Sequence, residues 1–536
     1  MRPFVTLARV AATVLILSWL AFFAPVICHA ETPAVPKKVV TIEGITQYQL
    51  DNGLRILLFP DASASTVTVN LTVFVGSRHE GYGETGMAHL LEHMVFKGTP
   101  THSNIPKLLR DHGARFNGST WVDRTNYFET MPAGDANLEF GIHLEADRMV
   151  NSFIRREDLV SEMTVVRNEF EAGENNPANI LGQRMLAVAY EWHNYGKSTI
   201  GNRSDIERVP IQNLQAFYRK YYRPDNAMLV VAGYFEPAKG LALISKHFGA
   251  LKRPERSLDS TYTEEPTQDG ERTVVLRRVG VVGVVGAVYH IPAGSHEDFP
   301  AVEVLEELLT REPAGRLYQA LVVSKKASTV SGSAFAWHDP GVLQLTAQVV
   351  PGKPLEQTRD TLLSVLEQLA TAKITEEEVE RAKRKLLKDR ELRLTDSGRV
   401  GIELSEWGAQ GDWRLFFLHR DRLAKVSVAD VNRVAGRYLQ PSNRTVGLYI
   451  PTEQPQRAEV PAPPVVAELV KNYKGGKDVA AGEAFDPTPA NIESRVQRAE
   501  LPGGLKLALL PKKSRGEALM AELTVRYGNE GSLKGQ

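Results

Sequence analysis

Two histidines four residues apart, His89 and His93, stand in the stretch Gly86–Gly98 with Glu92 beside them. Imidazoles at this spacing lie one above the other on a helix face. There, two ring nitrogens can bind one Zn²⁺. Glu92 is close enough to act as base on a water held by that metal. The trio must be helical for this to work. Met87, Leu90, Leu91, Met94 and Val95 recur at helical spacing, and Gly98 offers a stop. The competing reading is a helix with two histidines packed near a core.

A catalytic zinc needs three protein ligands and an open fourth position. Cys28 is the only cysteine, so the third ligand is another histidine or a carboxylate. A second helical pattern, Glu157 to Glu174, offers Glu162, Glu169, Glu171 and Glu174. Glu162 and Glu169 are seven apart and share one face across two turns. Spacing does not choose between them, and an acidic face is also what a solvated helix presents. His79, His112, His143, His193, His247, His290 and His338 have no partner at ligand spacing and read as structural or exposed.

The elements that must position these groups are strands first and helices after. Ile45–Leu50 and Leu54–Phe59 flank the hairpin turn Asp51-Asn52-Gly53. Val67–Val75 alternates and is β-branched. After the His89–His93 helix come a short helix near Ile105–His112, strands at Ala114–Trp121 and Asn126–Met131, and helices over Asn137–Asn151 and Glu157–Glu174. Asn175-Asn176-Pro177 stops the last of these. A helix, a strand at Met228–Gly233 and a further helix complete a first unit over residues 40–252. A second unit of similar make-up is expected over 271–451, a Pro/Ala/Gly-rich linker over 452–495, and the start of a third unit over 496–536. The pattern predicts an α+β fold of tandem α/β-sandwich domains, antiparallel-rich sheets with helices packed on them.

The third unit is read from an internal repeat. Leu501–Pro511 echoes Leu50–Pro60, and Leu523–Gly528 echoes Leu71–Gly76. The second copy stops before its equivalent of the histidine helix. The expectation is a truncated chain whose intact form continues.

Composition bounds the rest. The 536 residues carry 64 basic and 64 acidic side chains, with no basic stripe for nucleic acid. Arg2 and Arg9 precede the uncharged run Val10–Ile27, and Cys28-His29-Ala30 offers a cleavage site. Residues 1–30 therefore read as a secretory signal peptide, with an uncleaved anchor as the alternative. Without Arg2 and Arg9 the basic count falls from 64 to 62. A cysteine-free exported chain fits a bacterial periplasmic location.

The string His89-Leu90-Leu91-Glu92-His93-Met94-Val95-Phe96-Lys97-Gly98-Thr99 is H-x-x-E-H, the order found in inverzincin metallopeptidases. Together with Val165-Val166-Arg167-Asn168-Glu169 it resembles the pitrilysin/insulinase family of zinc metallopeptidases, in its bacterial exported two-repeat form. Tyr222–Asn226 and Arg316–Leu321 are similar to landmark strings of the family's first two domains. The resemblance implies Glu169 as third ligand of one Zn²⁺ per chain and Glu162 as support behind the ligands. It implies Glu92 as general base. It also makes Phe116, Asn117, Gly118, Ser119 and Thr120 the strand to which substrate adds as an edge strand. Family members complete the site with an Arg and a Tyr seven residues apart, carried by a later domain or a partner subunit. The aligned positions here are Val322 and Thr329, so the second unit is expected to be a non-catalytic wall. The completing pair would lie beyond Gln536 or on a partner. The expected activity is a zinc endopeptidase acting on peptides or unfolded polypeptides. The alternatives are a non-catalytic or partner-dependent peptide-binding subunit, or a dedicated processor of one small peptide. No nucleic acid partner is expected, and no stable membrane association once the signal is removed.

Overall fold

Ile56 to Leu58, Val67 to Val73 and Ala227 to Ala232 are runs in which every residue is buried. Such runs suit strands covered on both faces. A computed structural model describes residues 35–535; the signal peptide expected over 1–30 lies outside them. These runs form the middle of a seven-stranded sheet. Its strands are β1 (Lys37–Ile42), β2 (Ile45–Gln49), β3 (Arg55–Pro60), β4 (Thr66–Val73), β5 (Arg115–Thr120), β6 (Thr125–Pro132) and β7 (Ala227–Gly233). The order is β1-β2-β3-β7-β4-β6-β5. All neighbours are antiparallel except β3 and β7. The polar strand β5 lies at an edge.

A second sheet contains β8 (Arg272–Arg278), β9 (Val284–His290), β10 (Ala327–Ala334), β11 (Val342–Val349) and β12 (Arg444–Pro451). Read as β8-β12-β9-β11-β10, it repeats the order β3-β7-β4-β6-β5, including the parallel first pair. The architecture is the antiparallel-rich α+β tandem that the strand pattern predicts.

Six helices matter for the site: α1 (Met87–Val95), α2 (Asp135–Asn151), α3 (Arg156–Glu174), α4 (Pro177–Ala189), α5 (Phe299–Thr310) and α6 (Ser397–Ala409). Two of them cross over. Helix α4 lies between the strands of the first sheet in sequence, yet Ile180, Leu181 and Met185 pack with Val284, Val288 and Tyr449 of the second sheet. Helix α6 lies between the strands of the second sheet in sequence, yet Val400 and Leu404 pack with Met228 and Val230 of the first. The contacts are close at two glycines. A Cβ on Gly286 would stand 2.5 Å from Met185 Cε, and one on Gly401 3.0 Å from Ala232 Cβ. Each fully buried side chain, such as Leu181 or Leu404, contributes about 2 kcal/mol. The described residues up to Pro455 accordingly form one unit.

Residues from Gln456 form the other. It contains the hairpin of β13 (Gln497–Leu501) and β14 (Leu505–Leu509). The echo of Leu71–Gly76 predicts a further strand at Leu523–Gly528, but these residues form none. Leu523, Val525 and Tyr527 are exposed, and among the described residues no neighbouring strand takes up their backbone groups. No helix among the described residues is long and apolar enough to cross a membrane.

Candidate metal centre and active site

Helix α1 begins at Gly86, whose φ of 87° is left-handed and whose Cβ would meet the Ile200 carbonyl at 2.6 Å. Only glycine fits there. With no side chain at that cap, the first helical amides go elsewhere. Buried Glu80 accepts from Gly86 N–H at 2.9 Å and from Ala88 N–H at 2.8 Å. Burial pushes its carboxyl up to about 8, while these two amides pull it down. Capping patterns are sought within three residues of a helix start, so a cap from six residues upstream was not legible.

The helix turns His89 and His93 to one face, with ring centroids 4.9 Å apart. Helix α3 brings Glu169 to them. Glu169 Oε2 lies 3.7 Å from His89 Nε2 and 3.5 Å from His93 Nε2. Ligands at about 2.0–2.1 Å around a tetrahedral zinc stand about 3.3–3.4 Å from one another. The three atoms therefore fit a zinc ion, and they are a cluster able to hold a metal among the described residues. Burial, with the His93 charge next, pushes His89 down to about 4, which leaves its ring neutral at pH 7 with a lone pair to donate. Its Nδ1 is buried without a hydrogen-bond partner.

Glu162 stands behind this set. Its Oε2 lies 3.0 Å from His93 Nδ1, and its other oxygen meets Lys97 Nζ. A carboxylate on Nδ1 fixes the ring and leaves Nε2 facing the cluster. Glu174 points elsewhere, to Arg278 at 2.8 Å.

Glu92 is 8% exposed. Burial raises its pKa, and the hydrogen bond from Thr120 Oγ1, 2.7 Å from Oε2, works against that shift. Thr120 and Gly118 are on β5, and their face of the strand is turned to α1. A Cβ on Gly118 would lie 2.8 Å from Glu92 Oε1 and 2.9 Å from Phe96 Cε2. Glycine is what lets the strand approach the carboxylate. Phe116, two residues earlier, packs on Phe96 with ring centroids 6.1 Å apart. Asn117 and Ser119 alternate to the opposite face. Because β5 is an edge, one side of its backbone faces no other strand among the described residues.

The second half of the unit reaches this edge. Arg124 donates to the Ser119 carbonyl at 2.7 Å and to its hydroxyl at 2.6 Å, while its Nε donates to Glu406 of α6 at 3.0 Å. Asn70 donates to Ser405 at 2.8 Å. Asp123 accepts from Arg78 at 2.7 Å and from the His338 amide at 3.0 Å. A partner 282 residues away in sequence leaves no local signal, so Glu406 was not foreseen. Val322 lies in the helical turn Tyr318–Val323 and Thr329 on β10.

Comparison with known proteins adds the relationships. The family model for insulinase, peptidase family M16, matches residues 55–203. The model for the peptidase M16 inactive domain matches residues 208–386. A zinc protease, PqqE, from Helicobacter pylori is 30% identical over 403 residues, which are 74% of this chain and 90% of that protein. The crystal structure of a protease from Helicobacter pylori superposes with a TM-score of 0.73 at 28% identity, covering 78% of this chain and all of that one. Pitrilysin shares the fold with a TM-score of 0.62 at 19% identity, over 80% of this chain and 47% of its own.

Proposed function

This chain belongs to the insulinase family, peptidase family M16, and from that premise we propose that it is a zinc-dependent endopeptidase. The observation that carries the reading is the convergence of His89 Nε2, His93 Nε2 and Glu169 Oε2, with the Glu92 carboxylate one helical position away beside an open strand edge. When bound there, zinc would lower the pKa of a water towards about 7 and polarise a carbonyl.

The chain's own residues do the rest. The free edge of β5 offers main-chain donors and acceptors to an extended peptide, a sequence-tolerant grip. Glu92 takes a proton from the attacking water and gives it to the leaving amine. Its burial suits both halves of that task, because a raised carboxyl pKa is closer to the operating pH. Thr120 holds the carboxylate in place, and Gly118 keeps the approach open.

Substrates in this reading are peptides or unfolded polypeptides, since an edge strand accepts only extended chain. The positive residues Arg2 and Arg9, followed by the apolar run to Ile27, support export to a periplasm. Further chain or a partner subunit would close a chamber over the strand. The full set of ligands and base argues for catalysis over a purely structural subunit.

Metal removal tests the reading. Cleavage of a quenched-fluorescence peptide library by the full chain should fall to background after chelation and return with stoichiometric zinc. Undiminished cleavage by metal-free protein would contradict it.

A further inference from the structure

Strand β5 has two faces, and only one of them meets helix α1, at Glu92 and Phe96. Gly118 and Thr120 approach Glu92. Ser119 points the other way, and Trp121 continues that alternation. Its N–H donates to the Arg124 carbonyl at 2.9 Å, which extends the β5–β6 ladder by one pair. Arg124, opposite Trp121, has its guanidinium on Ser119 and Glu406. This face is therefore the one turned to the second half of the unit.

An aromatic row meets Trp121 there. Phe335, just past the end of β10, has its ring centroid 6.2 Å from that of Trp121. Phe335 stacks on Trp337 at 5.1 Å, and Trp337 lies 4.5 Å from buried Tyr195. The row runs from the core outwards, and Trp121, its last ring, is 40% exposed. A large ring held from behind and open in front loses little conformational freedom on binding. That is how aromatic anchors come to dominate recognition.

We propose that Trp121, backed by Phe335, is a specificity-determining residue that receives an aromatic or long aliphatic side chain of the peptide substrate. The inference rests on the peptidase reading above. Antiparallel addition to β5 is part of the proposal and sets the position. A strand added antiparallel to β5 runs from the Trp121 end towards Arg115. Substrate residues beside Trp121 therefore precede those beside Gly118 and Glu92. Because side chains alternate between faces, the one that reaches Trp121 lies about two or three residues before the scissile bond. The second half, which supplies Phe335 and Glu406, would then contribute selectivity without contributing a metal ligand.

The test uses paired peptides that differ only there, phenylalanine against glycine. Cleavage is measured with the zinc-loaded full chain, and binding with its Glu92→Gln form by fluorescence anisotropy. The phenylalanine peptide should be favoured about tenfold in kcat/KM and in Kd. Trp121→Ala should collapse both ratios to near one, and Phe335→Leu should reduce them. A preference that survives Trp121→Ala, or no preference in the parent chain, would overturn the inference. If the Glu92→Gln form binds with the predicted preference but the parent chain neither takes up zinc nor cleaves, the peptidase reading fails and the Trp121 assignment stands.

Discussion

Glu92→Gln should abolish turnover and leave zinc bound. The side chain keeps its shape, and the Thr120 hydroxyl can still donate to the amide oxygen, so the pocket made by Gly118 and Phe96 remains filled. What the variant would lose, on the proposed reading, is the group that takes and returns a proton. General acid–base catalysis of this kind is worth about 10²–10⁴-fold, or about 3–5 kcal/mol of barrier. Folding should not suffer, because burial already disfavours the charged form of Glu92. Steady-state cleavage together with zinc per chain by mass spectrometry reads both halves. Full activity would remove Glu92 from the base role, and loss of zinc would make it a ligand.

The second large effect is on stability. Arg148 of α2 is buried between two buried carboxyls, 3.3 Å from Glu145 and 3.9 Å from Glu129. Its guanidinium carbon also lies 5.2 Å from the Phe96 ring and 5.1 Å from that of Tyr127, at the end of α1 and on β6. It is the cation that permits two acids in this core. Arg148→Ala should cost about 3–5 kcal/mol, the usual penalty for stripping a buried charge of its partner.

The loss should depend on pH. Burial holds both carboxyls above the ordinary range, Glu129 further through its repulsion from Glu145, while Arg148 pulls both down. A raised carboxyl contributes full stability below its unfolded pKa and loses it as pH rises through its folded value. Removing Arg148 raises the folded values more, so the variant suffers more at about pH 8 than at about pH 5. Urea unfolding at the two pH values measures this. An equal loss at both would show that the arginine does not act through these carboxyls.

Much of the site was legible because its signals are local. His89, Glu92 and His93 share one helix, and their spacing states their geometry. Glu169 was one of several acids on its helix until a family resemblance selected it, and the fold brings it to the histidines. Contributions from across the fold were not legible. Glu80 caps α1 from outside the usual window, and Glu406 and Phe335 arrive from the second half.

The missed elements have similar causes. Asn175-Asn176-Pro177 reads as a stop, yet Asn176 also caps the next helix by accepting from Asn179 N–H at 3.0 Å, with Pro177 at its first position. Glycines hid α6, where Gly401 and Gly408 weaken the helical signal but allow close packing on Ala232 and Met228. Among the described residues strand β1 is an exposed edge paired with β2 alone, and it carries no buried run.

The central claim is that His89, His93 and Glu169 hold one zinc. Anomalous diffraction at the zinc edge, on crystals of the zinc-loaded full chain, tests it most directly. The account predicts a single strong peak about 2.0–2.1 Å from His89 Nε2, His93 Nε2 and a Glu169 carboxylate oxygen. A zinc-saturated chain with no peak among these three side chains, or with its metal held by other residues, would contradict it.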